Sequence, residues 1–153
     1  MRDDERYERR TGPPTVDEFQ RLRAAADMAD RPRAGVERGL PNSRFAVRAV
    51  DTAADPSAVP VGEASVGDGE VVGMARVVGD GGTVYHVCDM AVHPDHQRRG
   101  LGSDLLCAVD EFVDEDAPPG AYVTLVADVD GLYERAGYEE TRPASKGMYR
   151  RVG

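Results

Sequence analysis

Thr83-Val-Tyr-His-Val-Cys-Asp-Met-Ala-Val92 runs directly into His93-Pro-Asp-His-Gln-Arg-Arg-Gly-Leu-Gly102, and that junction decides the fold. The first ten residues are almost continuously apolar, as a central strand requires. Pro94, Gly100 and Gly102 then mark a loop. After it, Leu101, Leu105, Leu106, Val109, Phe112 and Val113 form one helical stripe, stopped by Pro118-Pro-Gly120. The first-turn amides of such a helix lack intrahelical partners, and its dipole presents partial positive charge, so the turn can receive an anion. Gly100 and Gly102 let a phosphate approach the main chain, and Arg98 and Arg99 add charge. The pattern is not G-x-x-x-x-G-K-[ST], and position 105 is Leu, so it is not G-x-G-x-x-G either. Both facts weigh against a nucleoside triphosphate loop and a dinucleotide fingerprint.

Upstream, residues 1–14 read as a polar arm, with Tyr7 to Arg10 fit for a short edge strand. Thr15-Val-Asp-Glu18 matches the capping box and opens a helix with Phe19, Leu22, Ala26 and Met28 on its apolar stripe, to about Ala29. A second short helix is expected over Arg33 to Arg38, and strands over Arg44 to Val50 and Glu70 to Val78. Residues 51–69, with Pro56, Pro60, Gly62, Gly67 and Gly69, read as a mobile loop or insertion. Downstream come a strand over Ala121 to Ala127 and a short helix, Gly131 to Ala136, capped by Asp130 and closed by Gly137. Two short strands are expected between Tyr138 and Val152. The order predicts an α/β (α+β) single domain over 1–153, with a mixed sheet flanked by helices.

The composition narrows the function. At 153 residues the chain suits one domain. Its 28 Asp and Glu against 19 Lys and Arg give a net charge of -9, which argues against a nucleic-acid or anionic-membrane binder. Lys146 is the lone lysine, and the surplus of Asp and Arg resembles the proteins of salt-loving archaea. A dense carboxylate surface stays hydrated where salt screens weaker charge patterns. The charged N-terminus does not read as a secretory signal, so a cytoplasmic location is expected. No run reaches the ~20 apolar residues of a membrane helix. Cys88 and Cys107 read as buried free thiols.

Three stretches together resemble the GNAT superfamily of N-acetyltransferases. Gln97-Arg-Arg-Gly-Leu-Gly102 is similar to its Q/R-x-x-G-x-G/A acetyl-CoA motif. The approach Asp89-Met-Ala-Val-His-Pro-Asp-His96 and the downstream Leu132-Tyr-Glu-Arg-Ala-Gly-Tyr138 also match, with one helix and one strand between the two signatures. The resemblance covers Thr15 to Tyr149 apart from residues 51–69, leaves out the N-terminal arm, and implies a mostly antiparallel central sheet. It also implies acetyl-CoA as cosubstrate, with no metal, and direct transfer to an amine in a ternary complex.

The roles implied are specific. Main-chain groups of Met90, Ala91 and Val92 would pair with the pantetheine arm. Gln97 opens the loop, and the amides of Arg98, Arg99, Gly100, Leu101, Gly102 and Ser103 would hold the pyrophosphate. Tyr133 would protonate the leaving thiolate; a phenol near ~10 lies close enough to a thiol near ~8.5 for late transfer. For the general base, His86 matches a place the family uses, and an imidazole accepts a proton near neutrality. Asp89 is a second candidate, and a base elsewhere, or none, stays open. Period two puts His86, Cys88 and Met90 on one strand face and Asp89 on the other, unless a bulge intervenes. Direct transfer leaves no acyl-carrying role for Cys88, and loop placement explains His93, Asp95 and His96 without a metal. Many members carry an Asn after the following strand; here Ala127-Asp-Val-Asp130 stands instead, so Asp128 or Asp130 contacts substrate or caps the helix. The acceptor is then a small-molecule amine or a peptide or protein amine, cationic ones being favoured by the negative field, and a homodimer is left open. The rival readings are an acyl-CoA-binding regulatory module without turnover and transfer of another acyl group.

Overall fold

The computed structural model describes residues 3–55, 57 and 69–153. The loop expected over 51–69 therefore lies mostly outside the described residues. A helical turn, α1 (Asp3–Arg6), leads into β1 (Tyr7–Thr11). Then come α2 (Val16–Ala25), α3 (Arg33–Gly39), β2 (Phe45–Asp51), β3 (Glu70–Gly79), β4 (Val84–Val92), α4 (Leu101–Asp116), β5 (Tyr122–Leu125) and α5 (Leu132–Arg135). The strands form one sheet in the order β1-β2-β3-β4-β5. All neighbours are antiparallel except β4 and β5, which are parallel. The polar arm is thus partly an edge strand, with Tyr7 opposite Asp51 and Thr11 opposite Val47.

Local chemistry explains the element ends. Thr15 Oγ1 accepts from the Glu18 amide at 3.2 Å while Glu18 Oε1 accepts from the Thr15 amide at 2.8 Å, the reciprocal cap expected. That helix stops at Ala25, four residues before the expected end. One face of the sheet carries α4, whose Leu105 and Val109 are fully buried against Val47, Val72, Val77 and Tyr85. The other carries α2 and α3, with Phe19, Leu22 and Val36 packed on Val50, Val71 and Met74. Cys107 is exposed rather than buried, because Leu105, Leu106, Ala108 and Val109 occupy the inward stripe of α4. Its thiol donates to Glu111 Oε1 at 3.3 Å. Cys88 is partly buried, and burial, then the Asp89 charge, push its thiol up to about 12.

A bulge interrupts β4. The register against β3 slips between Met74 and Arg76, and Asp89 has φ 55°. Tyr85 and Val87 lie on the α4 face, and a regular strand would keep Asp89 and Ala91 there too. Instead Met90 and Val92 pack on the α4 side, while Ala91 packs on the α2 side. The bulge therefore separates Met90 from His86 and Cys88 and aims Asp89 at α2.

The two strands expected after Tyr138 do not form: no residue from Tyr138 to Gly153 is in a strand. Met148, Tyr149 and Val152 are exposed at 85, 88 and 85%. The segment has no alternating apolar face to bury, and Pro143 cannot donate to a ladder.

Candidate active site

The site forms where β4 and β5 part. They pair only from Val84 opposite Tyr122 to Val87 opposite Leu125. Among the described residues, no strand covers that edge of β4 from Cys88 to Val92. A cavity of about 370 Å³ fills the gap. Met90, Ala91 and Val92 form one wall, Gln97, Arg98, Gly100, Leu101, Gly102 and Ser103 the end, and Tyr133 with Leu132, Asp128 and Val129 the far side. Ten of the residues singled out from the sequence are thereby brought together. Arg99 lies outside this lining, and so does His86.

The loop is shaped by two left-handed backbone positions, Arg98 at φ 61° and Gly100 at φ 81°. Glycine adopts this conformation without strain, whereas arginine does so only under the constraint of its neighbours. The first amide bond inside α4 is Asp104 to Gly100 at 3.0 Å, which leaves the amides of Leu101, Gly102 and Ser103 at the helix start without intrahelical acceptors. A Cβ at Gly102 would stand 3.8 Å from Leu132 Cδ2, so a side chain there would enter the cavity. Gln97 donates through Nε2 to the Val92 carbonyl at 3.0 Å. That bond fixes the loop to the strand end, and it occupies one main-chain acceptor expected to face the pantetheine arm.

Tyr133 is set by the turn that follows it. Gly137 has φ 93°; its amide donates to the Glu134 carbonyl, and the Tyr138 amide to that of Tyr133, both at 3.0 Å. This left-handed closure ends α5 and swings Tyr138 back. The Tyr138 hydroxyl donates to Asp110 Oδ1 on α4 at 2.7 Å, and the two tyrosine rings meet edge to face at 6.3 Å. At the other end the cap is Gly131, not Asp130, with the Gly131 amide donating to Glu134 Oε2. Asp130 is exposed, and Asp128 faces the cavity instead. Tyr133 itself is 8% exposed, and its hydroxyl has no hydrogen-bond partner among the described residues. Burial first, and the Asp128 carboxylate second, hold the phenol above its ordinary value. It is therefore protonated throughout the neutral range.

His86 accepts from or donates to Thr124 Oγ1 through Nδ1 at 2.9 Å, across the β4–β5 pair. It lines a second cavity, of about 630 Å³, which also contains Tyr133. The C-terminal segment borders this cavity with Glu139, Glu140, Arg142 and Lys146. Tyr133 is thus common to both spaces. Asp89 is differently employed: Oδ1 meets Arg23 Nη1 at 2.7 Å and Oδ2 meets Arg76 Nε at 2.5 Å. Two guanidinium groups occupy both of its oxygens.

Ala26 and Met28 also line the first cavity. In the sequence they continue the apolar stripe of α2, and only the early helix end turns them toward the site. Among the described residues no group of three His, Cys, Asp or Glu side chains could hold a metal ion. No helix among them is long and apolar enough to cross a membrane.

A family model described as an acetyltransferase (GNAT) domain matches residues 61–140. No curated protein matches the chain at a significant level. Among solved structures, a Staphylococcus aureus protein of unknown function, described as a probable acetyltransferase, is 32% identical. The match has a TM-score of 0.81 and covers 95% of this chain and 99% of that one. A GNAT-family acetyltransferase from Streptococcus pneumoniae is 22% identical with a TM-score of 0.68, covering 96% and 98%. A GNAT-family acetyltransferase from Brucella melitensis, solved in complex with acetyl-CoA, is 19% identical with a TM-score of 0.58, covering 87% and 82%. These last two share the fold.

Proposed function

The chain belongs to the GNAT family of acetyltransferases, and from that premise we propose that it moves an acetyl group from acetyl-CoA to a primary amine by direct attack in a ternary complex. The observation that carries this reading is Tyr133: a buried, unpartnered phenol facing the same cavity as the open edge of β4 and the amide-lined start of α4. The Brucella relative's complex with acetyl-CoA supports this choice of donor.

The residues divide the work. Amides from Arg98 to Ser103 hold the pyrophosphate, with the helix dipole behind them. Arg99 contributes through its main chain. The uncovered edge of β4 at Met90 and Ala91 receives the pantetheine arm as an added strand. The amine nitrogen bonds to the acetyl carbon while the carbon–sulfur bond breaks. Tyr133 gives its proton to the departing sulfur and is later reprotonated from solvent. His86, held by Thr124, takes the surplus amine proton directly or through water, and the second cavity admits the acceptor. Asp89 keeps the bulge in place rather than acting as base. The acceptor is a small-molecule amine or a peptide or protein amine, and the chain's net charge of -9 favours a cationic one. The protein works in the cytoplasm, and its acidic, lysine-poor composition suits high salt.

The test is coenzyme A release, read with a thiol reagent, across a panel of amines and peptide N-termini in high salt. Amine-dependent release is expected. Tight acetyl-CoA binding with no release for any amine would favour the regulatory module instead.

A further inference from the structure

We propose that the edge strand β1 holds the loop 97–103 in its receptive shape by gripping the chain at both ends of that loop, through Tyr7 at His96 and Arg9 at Asp104. The inference rests on the reading that this loop holds the pyrophosphate. Tyr7 and Arg9 are two residues apart on a strand and so share a face. The Tyr7 hydroxyl bonds His96 Nδ1 at 2.8 Å, and the two rings meet edge to face at 5.8 Å. His96 immediately precedes Gln97. Beyond the loop, Arg9 Nη1 lies 3.3 Å from the Asp104 carbonyl oxygen and 3.4 Å from Asp104 Oδ1. The Tyr7 contact is the tighter and more enclosed of the two, so it carries most of the effect.

A second layer fixes Tyr7. Asp51, at the end of β2 and 2% exposed, takes two bonds from Arg6, at 2.9 Å from Nε and 2.7 Å from Nη2. The same guanidinium lies over the Tyr7 ring, 5.2 Å from its centroid. Asp51 Oδ2 is also 4.0 Å from His96 Nδ1. A buried carboxylate, an arginine, a phenol and an imidazole therefore meet at the start of the loop, and the acetyl-transfer chemistry uses none of them. The loop needs such support. Arg98, a residue with a side chain, sits at φ 61°, a conformation held by surrounding contacts rather than by local preference. A loop already in its binding conformation loses less entropy when the ligand arrives, so releasing an anchor weakens binding without touching the chemistry.

Tyr7→Phe removes the hydroxyl and keeps the ring. Acetyl-CoA dissociation constants are measured by calorimetry for the wild type, Tyr7→Phe, His96→Gln and Glu8→Gln, the last from the opposite face of β1. Steady-state KM and kcat are measured with acetyl-CoA and with S-acetylpantetheine, which lacks the pyrophosphate. The loss of one hydrogen bond predicts a roughly three- to tenfold weaker Kd and higher KM for acetyl-CoA in Tyr7→Phe. The kcat, the KM for S-acetylpantetheine, and Glu8→Gln should be unchanged. Equal acetyl-CoA affinity in the wild type, Tyr7→Phe and His96→Gln overturns the strap. So does equal weakening toward both donors, which marks a general loss of structure. A wild type that binds no acetyl-CoA fails earlier and overturns the functional reading itself.

Discussion

Arg23 and Asp89 are joined, Nη1 to Oδ1, at 2.7 Å, with side chains only 6 and 7% exposed. This pair ties α2 to the bulge that turns Met90 toward α4 and lays Ala91 under α2. Arg76 closes the other carboxylate oxygen. Desolvation lowers the Arg23 pKa most, and the Asp89 charge opposes it. Removing Asp89 therefore leaves a buried cation uncompensated. Asp89→Asn tolerates the positive φ but loses the charge, and it should cost about 3–5 kcal/mol of stability. Denaturant unfolding measures this, and a loss under about 1 kcal/mol would show that the pair does not hold the bulge.

The start of α4 is the second point of test. Gly100→Asp forces a side chain onto φ 81°, and Gly102→Asp projects one toward Leu132 inside the cavity. Each also sets a negative charge against the expected pyrophosphate. In wild type, acetyl-CoA should raise the melting temperature, whereas NAD and ATP should give no comparable shift. Both variants should lose the acetyl-CoA shift. A full shift in both would place the phosphates elsewhere.

His86 predicts an effect on rate. With Nδ1 engaged by Thr124, Nε2 is the atom left to take a proton. As base or relay it supports turnover, so His86→Ala should lower kcat by roughly 10²-fold or more while acetyl-CoA binding stays unchanged. A wild-type kcat would leave His86 as a sheet residue bonded to its neighbour.

His96 predicts a pH effect on stability. Burial, above all, holds its imidazole below 6.5; Arg6 and His93 push the same way, and Asp51 and Glu70 oppose. Tyr7 completes the surroundings. The unfolded chain thus takes up this proton before the folded one as pH falls. The stabilising contribution is complete above about 6.5 and disappears as pH drops through the folded-state value. As pH falls from about 7 through the folded-state value, the wild type should lose more stability than His96→Gln. Parallel stability curves would show that His96 contributes nothing to this dependence.

Periodicity and punctuation made much of this fold legible. The Leu101-to-Val113 stripe, the Thr15–Glu18 cap and Gly137 each act through neighbours a few residues away, so their signals are local. The end of the first cavity, Gln97 to Ser103, is legible for the same reason, whereas Met90, Ala91, Val92 and Tyr133 come from the family resemblance. Other features depend on contacts far along the chain. The bulge at Asp89 relies on Arg23 and Arg76, and no spacing rule announces it. Arg6 finds Asp51 only because β1 pairs with β2, so the edge strand is legible over Tyr7 to Arg10 while the buried partner of its neighbour is not. Asp130 looked like the cap of α5 because Asp is a good cap, yet the chain turns one residue later, on Gly131. Tyr138 to Val152 carried apolar residues suggestive of strands but no alternation to give them a buried face.

The most direct test of the account compares Tyr133→Phe with the wild type, measuring acetyl-CoA binding and coenzyme A release on one preparation with an amine the wild type accepts. Removing the hydroxyl leaves the ring, its packing and the loop intact. Binding should be nearly unchanged, while turnover falls by ~10²–10⁴-fold, the scale of general acid–base help. A Phe variant that binds acetyl-CoA normally and turns over at the wild-type rate would contradict the account, because the sulfur would then leave without the proton Tyr133 is placed to give.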